Sequence, residues 1–418
     1  LKLLVGDAGY DKALELYFER HDGQACTIEH WIKVFEDACE TDLTQFKLWY
    51  SQSGTPKVSV SEDYTDGVFS VTLAQDAKPS TNRIGKLPQV IPVRTGFIGA
   101  DGSEILPETV LKLQDASQTF TFETPERPTL SLLRGFSAPV ILDRDIDVQT
   151  RAFLFANDTD TFNKWEAGRD IAMDILASAA MDKDVDADSY IESVAALAVD
   201  ETLDPAYRAL LLSLPSQEAI AQAIVDTGGI PDPDVIYEVR EDLGYEIALE
   251  LEEQLPNLYH DMAVDGPYTP DATAAGKRAL RATALALMTK LDGGEAALQQ
   301  FADADNMTEQ LSALSLAITA GVGENASTEF YNQWKSDTLV MDKWFAIQVA
   351  SATPDVALEV AQSLSVHLDF NWKNPNRFRS LIGPFAMSPA AFHAADGKGC
   401  PVYTSPSPPG RQKPPMTP

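Results

Sequence analysis

A chain of 418 residues exceeds one average domain, so more than one core is expected and burial is not limiting. Hydrophobic content of 44% and charged content of 23% belong to an ordinary globular protein, and no run of about 18 apolar residues offers a membrane span. Thirty-two Lys and Arg against 63 Asp and Glu leave a formal charge of -31, which opposes the counterion release that drives nucleic-acid binding and repels anionic lipid; neither nucleic acid nor membrane is expected as a partner.

The first residue is Leu1, no basic-then-apolar leader follows, and the chain reads as a fragment of something longer. Up to Gln52 the period is helical. Ile28, Trp31, Ile32, Phe35 and Cys39 fall on one face behind Thr27 as N-cap, and Asp42 is placed to cap a further helix carrying Leu43, Phe46 and Tyr50. Gly54 and Pro56 then end the helical run. From Val58 to about Ile146 the period is two: Val58 and Val60, Phe69, Val71 and Leu73, Ile91 and Val93, Phe120 and Phe122, Leu130 and Leu132 alternate with polar residues, with Asp66-Gly67 and Asp101-Gly102 as turn pairs. Short strands of this kind predict an antiparallel sandwich. From Val148 to about Ala395 helix follows helix, broken at Asp204-Pro205, Gly228-Gly229, Pro231-Asp232, Gly293-Gly294 and Pro354-Asp355, which predicts an irregular helical solenoid without a fixed repeat period. The last residues, PVYTSPSPPGRQKPPMTP, are too poor in apolar side chains to offset ordering and are expected to be disordered, PxxP at 406–409 included.

Chemistry is sought next. Cys26, Cys39 and Cys400 are odd in number and lack CxxC spacing, so neither a disulfide framework nor a thiolate zinc site is expected, and a reducing cytoplasm fits best. His21, His30, His260, His367 and His393 are scattered, with no HExxH. GFSAP at 135–139 opens like a nucleophile elbow but puts Pro139 where Gly is required, so Ser137 is read as a strand serine. Asp182, Asp184 and Asp186 have calcium-loop spacing, but Ala187 and Ser193 stand where Gly and Glu are needed, so they are read as capping the helix that begins near Asp188. No phosphate-cradling glycine loop occurs. No residue is assigned a catalytic or metal-binding role. NPNRFRSLIGPF at 374–385 is the one place where cations crowd beside a helix start: a guanidinium there could clamp a substrate carboxylate or carbonyl, whereas the bland reading pairs Arg377 and Arg379 with acidic neighbours. The residues alone favour the bland reading.

Several strings carry a resemblance. LYFERHDG (16–23), VFEDACETDLTQFKLWYSQSGTP (34–56), GFSAPV (135–140), NDTDTFNKWEA (157–167), ADNMTEQLSAL (304–314), LVMDKWFAIQ (339–348) and NPNRFRSLIGPFA (374–386) occur in the order and spacing of the C-terminal half of bacterial aminopeptidase N, the gluzincin-type zinc alanyl aminopeptidases, and the chain resembles that family across nearly all of residues 7–399. The resemblance implies a multidomain α+β fold in which an antiparallel, Ig-like β-sandwich is followed by an all-α, irregular, armadillo-like superhelix. It implies closing helices of a thermolysin-like catalytic domain at 1–52, the sandwich at 53–146, the superhelix at 147–399 and a Pro-rich tail at 400–418. It further implies short peptides as substrates, zinc in the full-length enzyme, a missing N-terminal catalytic half as partner, and Arg379 as a substrate-binding residue facing the internal cavity. The family's GAMEN and HExxH motifs do not occur, and GVGEN at 321–325 is not carried over because Gly323 replaces Met in a loop between helices. This chain alone is therefore expected to bind no zinc and to be inactive, serving as a cap over the active site. Where the family continues with further helices, the switch to the Pro-rich end suggests a frame change. The rival reading, from another class, is a stand-alone acidic helical scaffold that binds peptides or proteins on a concave face.

Overall fold

The computed structural model describes residues 1–75 and 86–399. The Pro-rich end with its PxxP string, and Cys400, lie outside the described residues. Two compact units divide at Gly168 and Arg169.

The first unit opens with α1 (Lys2–Val5), α2 (Asp7–His21), α3 (Ile28–Cys39) and α4 (Leu48–Ser51). Thr27 is extended ahead of α3, and its N–H donates to Nδ1 of His30, 3.1 Å away, so the expected cap forms with the imidazole completing the box. The α3 face buries Ile32, Val34 and Phe35 with Ala13 of α2 and Leu43. Behind Asp42 the structure departs from expectation. Asp42 accepts from the Thr44 N–H at 2.9 Å, but turns occupy 44–47 and helix is confined to Leu48–Ser51. The side chains there reach instead for backbone just before the strand Ile91–Ile98 and just after the strand Glu104–Leu113: Gln45 donates to the carbonyls of Pro88 and Gln114, the Trp49 indole to Val90 at 2.9 Å, and Gln52 both donates to and accepts from Leu87. These tertiary bonds override the helical period in the segment that joins helices to sandwich.

The sandwich has two sheets. One is ordered β5-β2-β1-β7, from Ser117–Glu123, Val68–Gln75, Lys57–Thr65 and Ile141–Asp143; the other is β4-β3-β6, from Glu104–Leu113, Ile91–Ile98 and Thr129–Leu132. Asp66 and Gly67 both take positive φ (51° and 80°), the primed turn whose twist suits a hairpin, and close β1 onto β2 with Val60 opposite Leu73. Val58, Phe69, Val71 and Leu73 from one sheet meet Ile91, Val93, Phe97, Leu111 and Leu130 from the other. Alternation does not single out β4, which carries Pro107 and buries few side chains. One pairing is parallel, β1 with β7, because the chain leaves β6 in the other sheet, turns through a 3-10 segment at Arg134–Phe136 and meets the edge of β1 running in its direction. Ser137 therefore lies just after that turn and not in a strand, its Oγ accepting from the Arg94 N–H at 3.0 Å.

Arg134, 2% exposed, fixes this turn: it donates to Ser131 Oγ at 2.8 Å, Glu104 at 2.6 Å and Asp158 at 3.1 Å, and a Cβ on Gly96 would fall 1.9 Å from its Cζ. Asp158 lies between α5 (Val148–Asn157), whose Asp147 cap accepts from Thr150, and α6 (Thr161–Ala179), whose Asn163 donates to Ser131 Oγ and the Leu132 carbonyl. The sandwich thus carries α5 and the start of α6 within its own unit, and α6 runs on across the division at Gly168 and Arg169.

The second unit is helical throughout its described part: α7 (Asp188–Val199), α8 (Pro205–Leu211), α9 (Gln217–Asp226), α10 (Pro233–Glu250), α11 (Leu255–Asp261), α12 (Ala272–Asp292), α13 (Glu295–Asp303), α14 (Met307–Thr319), α15 (Glu324–Trp334), α16 (Thr338–Ala350), α17 (Pro354–Ser365), α18 (Pro375–Ala386) and α19 (Pro389–Phe392). Asp204, Asp232 and Asn374 cap helices that start with Pro, and Gly293, in the left-handed region, ends α12; the breaks read from the sequence act through caps of this kind. α12 packs against α8, α10, α11, α13 and α14, and α16 against α15, α17 and α18, around a core that includes Leu285, Phe301, Phe330, Phe345 and Phe385. Asp186 accepts from the N–H of Asp188, but the N-cap position of α7 is Ala187, so the expected aspartate cap does not form.

Candidate functional site

The start of α18 separates the two arginines. Asn374 Oδ1 accepts from the N–H of Asn376, Pro375 supplies N1, and the helix then turns Arg377 inward. Arg377, 6% exposed, donates through Nε to Asp342 Oδ1 at 2.5 Å and through its terminal nitrogens to the carbonyls of Asp369 at 2.6 Å and Thr338 at 3.3 Å, with its guanidinium 4.8 Å from the Phe345 ring centroid. One planar fork thereby fastens α18 to α16 and to the loop after α17.

Residues two apart on a helix point about 200° apart around its axis, and Arg379 accordingly lies exposed. It has no hydrogen bond or ion pair to another described residue. The bland reading thus holds for Arg377, whereas Arg379 has no acidic partner among the described residues of a chain of formal charge -31. Phe378 beside it is 43% exposed, and Trp372, just ahead of the helix, 69%.

Behind Arg377 lies a group that the sequence did not single out. The Tyr331 hydroxyl donates to Asp369 Oδ2 at 2.6 Å, a bond that pushes the phenol pKa upward, and the Asp369 N–H donates to His367 Nδ1 at 3.2 Å. The His367 ring packs among Tyr331, Trp344 and Phe345 at 5.3–5.7 Å between centroids. The signal available was the His367 to Asp369 spacing next to NPNRFRS; what was missing was any clue that Tyr331, 38 positions away, meets it.

The zinc implied by the resemblance would need a cluster of imidazole, thiolate or carboxylate donors. His21 and His30 bring their rings to 5.1 Å, but among the described residues no group of three or more His, Cys, Asp or Glu is arranged to hold a metal ion. The residues do not fit the metal. In GVGEN, Gly321 has φ +75° and a Cβ on Gly323 would fall 2.7 Å from the Ile318 backbone N, so these glycines serve the turn from α14 into α15. Among the described residues no helix is long and apolar enough to cross a membrane.

Comparison with known proteins completes the site. Residues 54–145 match the family described as "Domain of unknown function (DUF3458) Ig-like fold", and residues 148–405 match "Domain of unknown function (DUF3458_C) ARM repeats". A protein of Caulobacter vibrioides named Aminopeptidase N is 38% identical over 410 residues, 96% of this chain and 47% of the relative. Its namesake from Escherichia coli K12 is 36% identical over 95% of this chain and 47% of its own. The crystal structure of Legionella pneumophila aminopeptidase A in complex with aspartic acid superposes with a TM-score of 0.81 at 28% identity, covering 96% of this chain and 48% of that one. The chain spans about half the length of the curated relatives it matches.

Proposed function

Because the chain belongs to the DUF3458_C ARM-repeat family and corresponds to the C-terminal part of proteins named Aminopeptidase N, we propose that it supplies the substrate enclosure of a zinc-dependent aminopeptidase. In this reading residues 1–52 close a catalytic domain, 53–146 form a spacer sandwich and 147–399 cap the active site, in a cytoplasmic enzyme that trims short peptides. Zinc and the hydrolytic groups come from sequence outside this chain, which alone is inactive. Arg379 faces the peptide path and takes a backbone carbonyl or carboxylate through its in-plane donors.

The observation that carries the proposal is the separation of the two arginines: Arg377 is consumed by Asp342 and two carbonyls, whereas Arg379, in the same matched string, is exposed with its donors free of described partners. The test is complementation. The first half of the Caulobacter vibrioides relative, expressed separately, is mixed with this chain and assayed on alanyl arylamides. Turnover absent from either half alone supports the reading, and Arg379→Ala in this chain should then raise KM several-fold with a smaller effect on kcat. No turnover from a complex that demonstrably forms would refute the enclosure role.

A further inference from the structure

Another buried guanidinium lines a cavity that the enclosure reading does not use. Arg208 of α8 is 4% exposed, and its Nε donates to the Ala198 carbonyl at 2.7 Å. The buried Arg134 and Arg377 and the half-buried Arg144 at the sandwich edge each hold a carboxylate, while the buried Arg278 of α12 donates to the Thr269 carbonyl with its guanidinium 4.4 Å from the Tyr268 ring centroid. Arg208 forms no ion pair with any described residue, and its terminal nitrogens are left to the cavity that it lines. Burial lowers its pKa, opposed by the charges of Glu201 and Asp200. A buried cation without a counterion is costly, and the cost is recovered when a ligand brings one.

The cavity measures about 540 Å³ and lies between α8, the end of α7 and α11. Val199, Leu203, Leu258 and Met262 supply its apolar lining, with Leu258 buried. Glu201, Glu253 and Asp261 are exposed at its rim. The position of α8 is fixed, since a Cβ on Gly276 of α12 would come within 3.2 Å of the Ala206 N. A simple anion entering would meet three carboxylates before one guanidinium; an amine would find its charge matched at the rim and opposed inside. Both halves are satisfied only by a molecule that carries both charges. We propose that this cavity binds a small zwitterion with an apolar side chain, a free amino acid or a short peptide, its carboxylate on Arg208 and its ammonium toward Glu201, Glu253 and Asp261.

Calorimetric titration of the 418-residue chain tests this with four probes: L-leucine, L-alanyl-L-leucine, isovalerate, which lacks the ammonium, and isoamylamine, which lacks the carboxylate. Leucine or the dipeptide should bind saturably, and both single-charge analogues at least about tenfold more weakly. Tighter binding of the dipeptide assigns the site to peptides; tighter binding of leucine assigns it to free amino acids. Arg208→Gln should weaken the zwitterion by about tenfold or more, and Glu253→Gln with Asp261→Asn should weaken it while leaving isovalerate no weaker. Should Arg208→Gln fail to fold, the exposed rim pair decides alone. Absence of saturable heat from the folded chain up to about 20 mM, isovalerate equal to leucine, or wild-type affinity in the folded Arg208→Gln protein would each overturn the proposal.

Discussion

Removing Arg377 leaves the half-buried Asp342 carboxylate and the Asp369 and Thr338 carbonyls without their donor. Breaking one side of such a pair costs several kcal/mol, so Arg377→Ala should destabilise the chain by about 3 kcal/mol, whereas the exposed Arg379→Ala should fall within about 0.5 kcal/mol; urea midpoints at constant slope measure both. Asp158 offers a pH test. Burial first, and Asp160 to a lesser degree, raise its carboxyl above the ordinary range despite the opposing Ser131, the Asp160 amide and Arg134. A carboxyl with a raised folded-state pKa binds its proton more tightly in the folded chain, so its contribution to stability declines as pH rises from about 4 toward that raised value. Glu104, held below its ordinary range by Thr159 and Arg134 in spite of desolvation, works in the opposite sense and loses its contribution as pH falls below about 4.5. Asp158→Asn should therefore gain on the wild type as pH is raised from about 4 to 7 in parallel denaturations; a constant difference would refute the assignment. The sequence announced Arg377 and Arg379 through their crowding beside Asn-Pro but could not divide their roles, because that depends on which helix lies opposite. Arg134 passed unnoticed since its partners Glu104 and Asp158 are 30 and 24 residues distant.

Elements were legible where local chemistry decides them and obscure where distant partners do. The Thr27 cap, the Asp66-Gly67 hairpin and the Pro-initiated helices follow from near neighbours alone. The irregular 44–47 segment, β4 and the parallel β7 edge depend on bonds to Pro88, Gln114 and the far sheet, which no period in the chain encodes. Two substitutions test this scale. Asn374→Ala removes the acceptor for the Asn376 N–H and should cost about 1 kcal/mol, with Asn374→Asp nearly neutral, read from thermal midpoints. Gly96→Ala places a methyl inside the Arg134 guanidinium; expelling that cation should cost about 3 kcal/mol or more, seen as loss of cooperative unfolding in the sandwich.

At the scale of the whole molecule, a formal charge of -31 opposes self-association while the segment after α17 presents Val366, Leu368 and Trp372 at 82%, 98% and 69% exposure. Screening shortens the repulsion to about 10 Å at 0.1 M salt, so light scattering should rise with added sodium chloride, and Leu368→Glu with Trp372→Glu should abolish the rise. A monodisperse wild-type chain at all salt concentrations would contradict this. The Arg134 knot also bears on where the polypeptide can be severed. Its ligands come from β4, from β6 and from beyond α5, so a sandwich excised at residue 147 would keep the guanidinium and lose Asp158 and Asn163. Newly made sandwich emerging from a ribosome meets the same difficulty, and it stays unfinished until the whole of α5 and the start of α6 have been synthesised behind it.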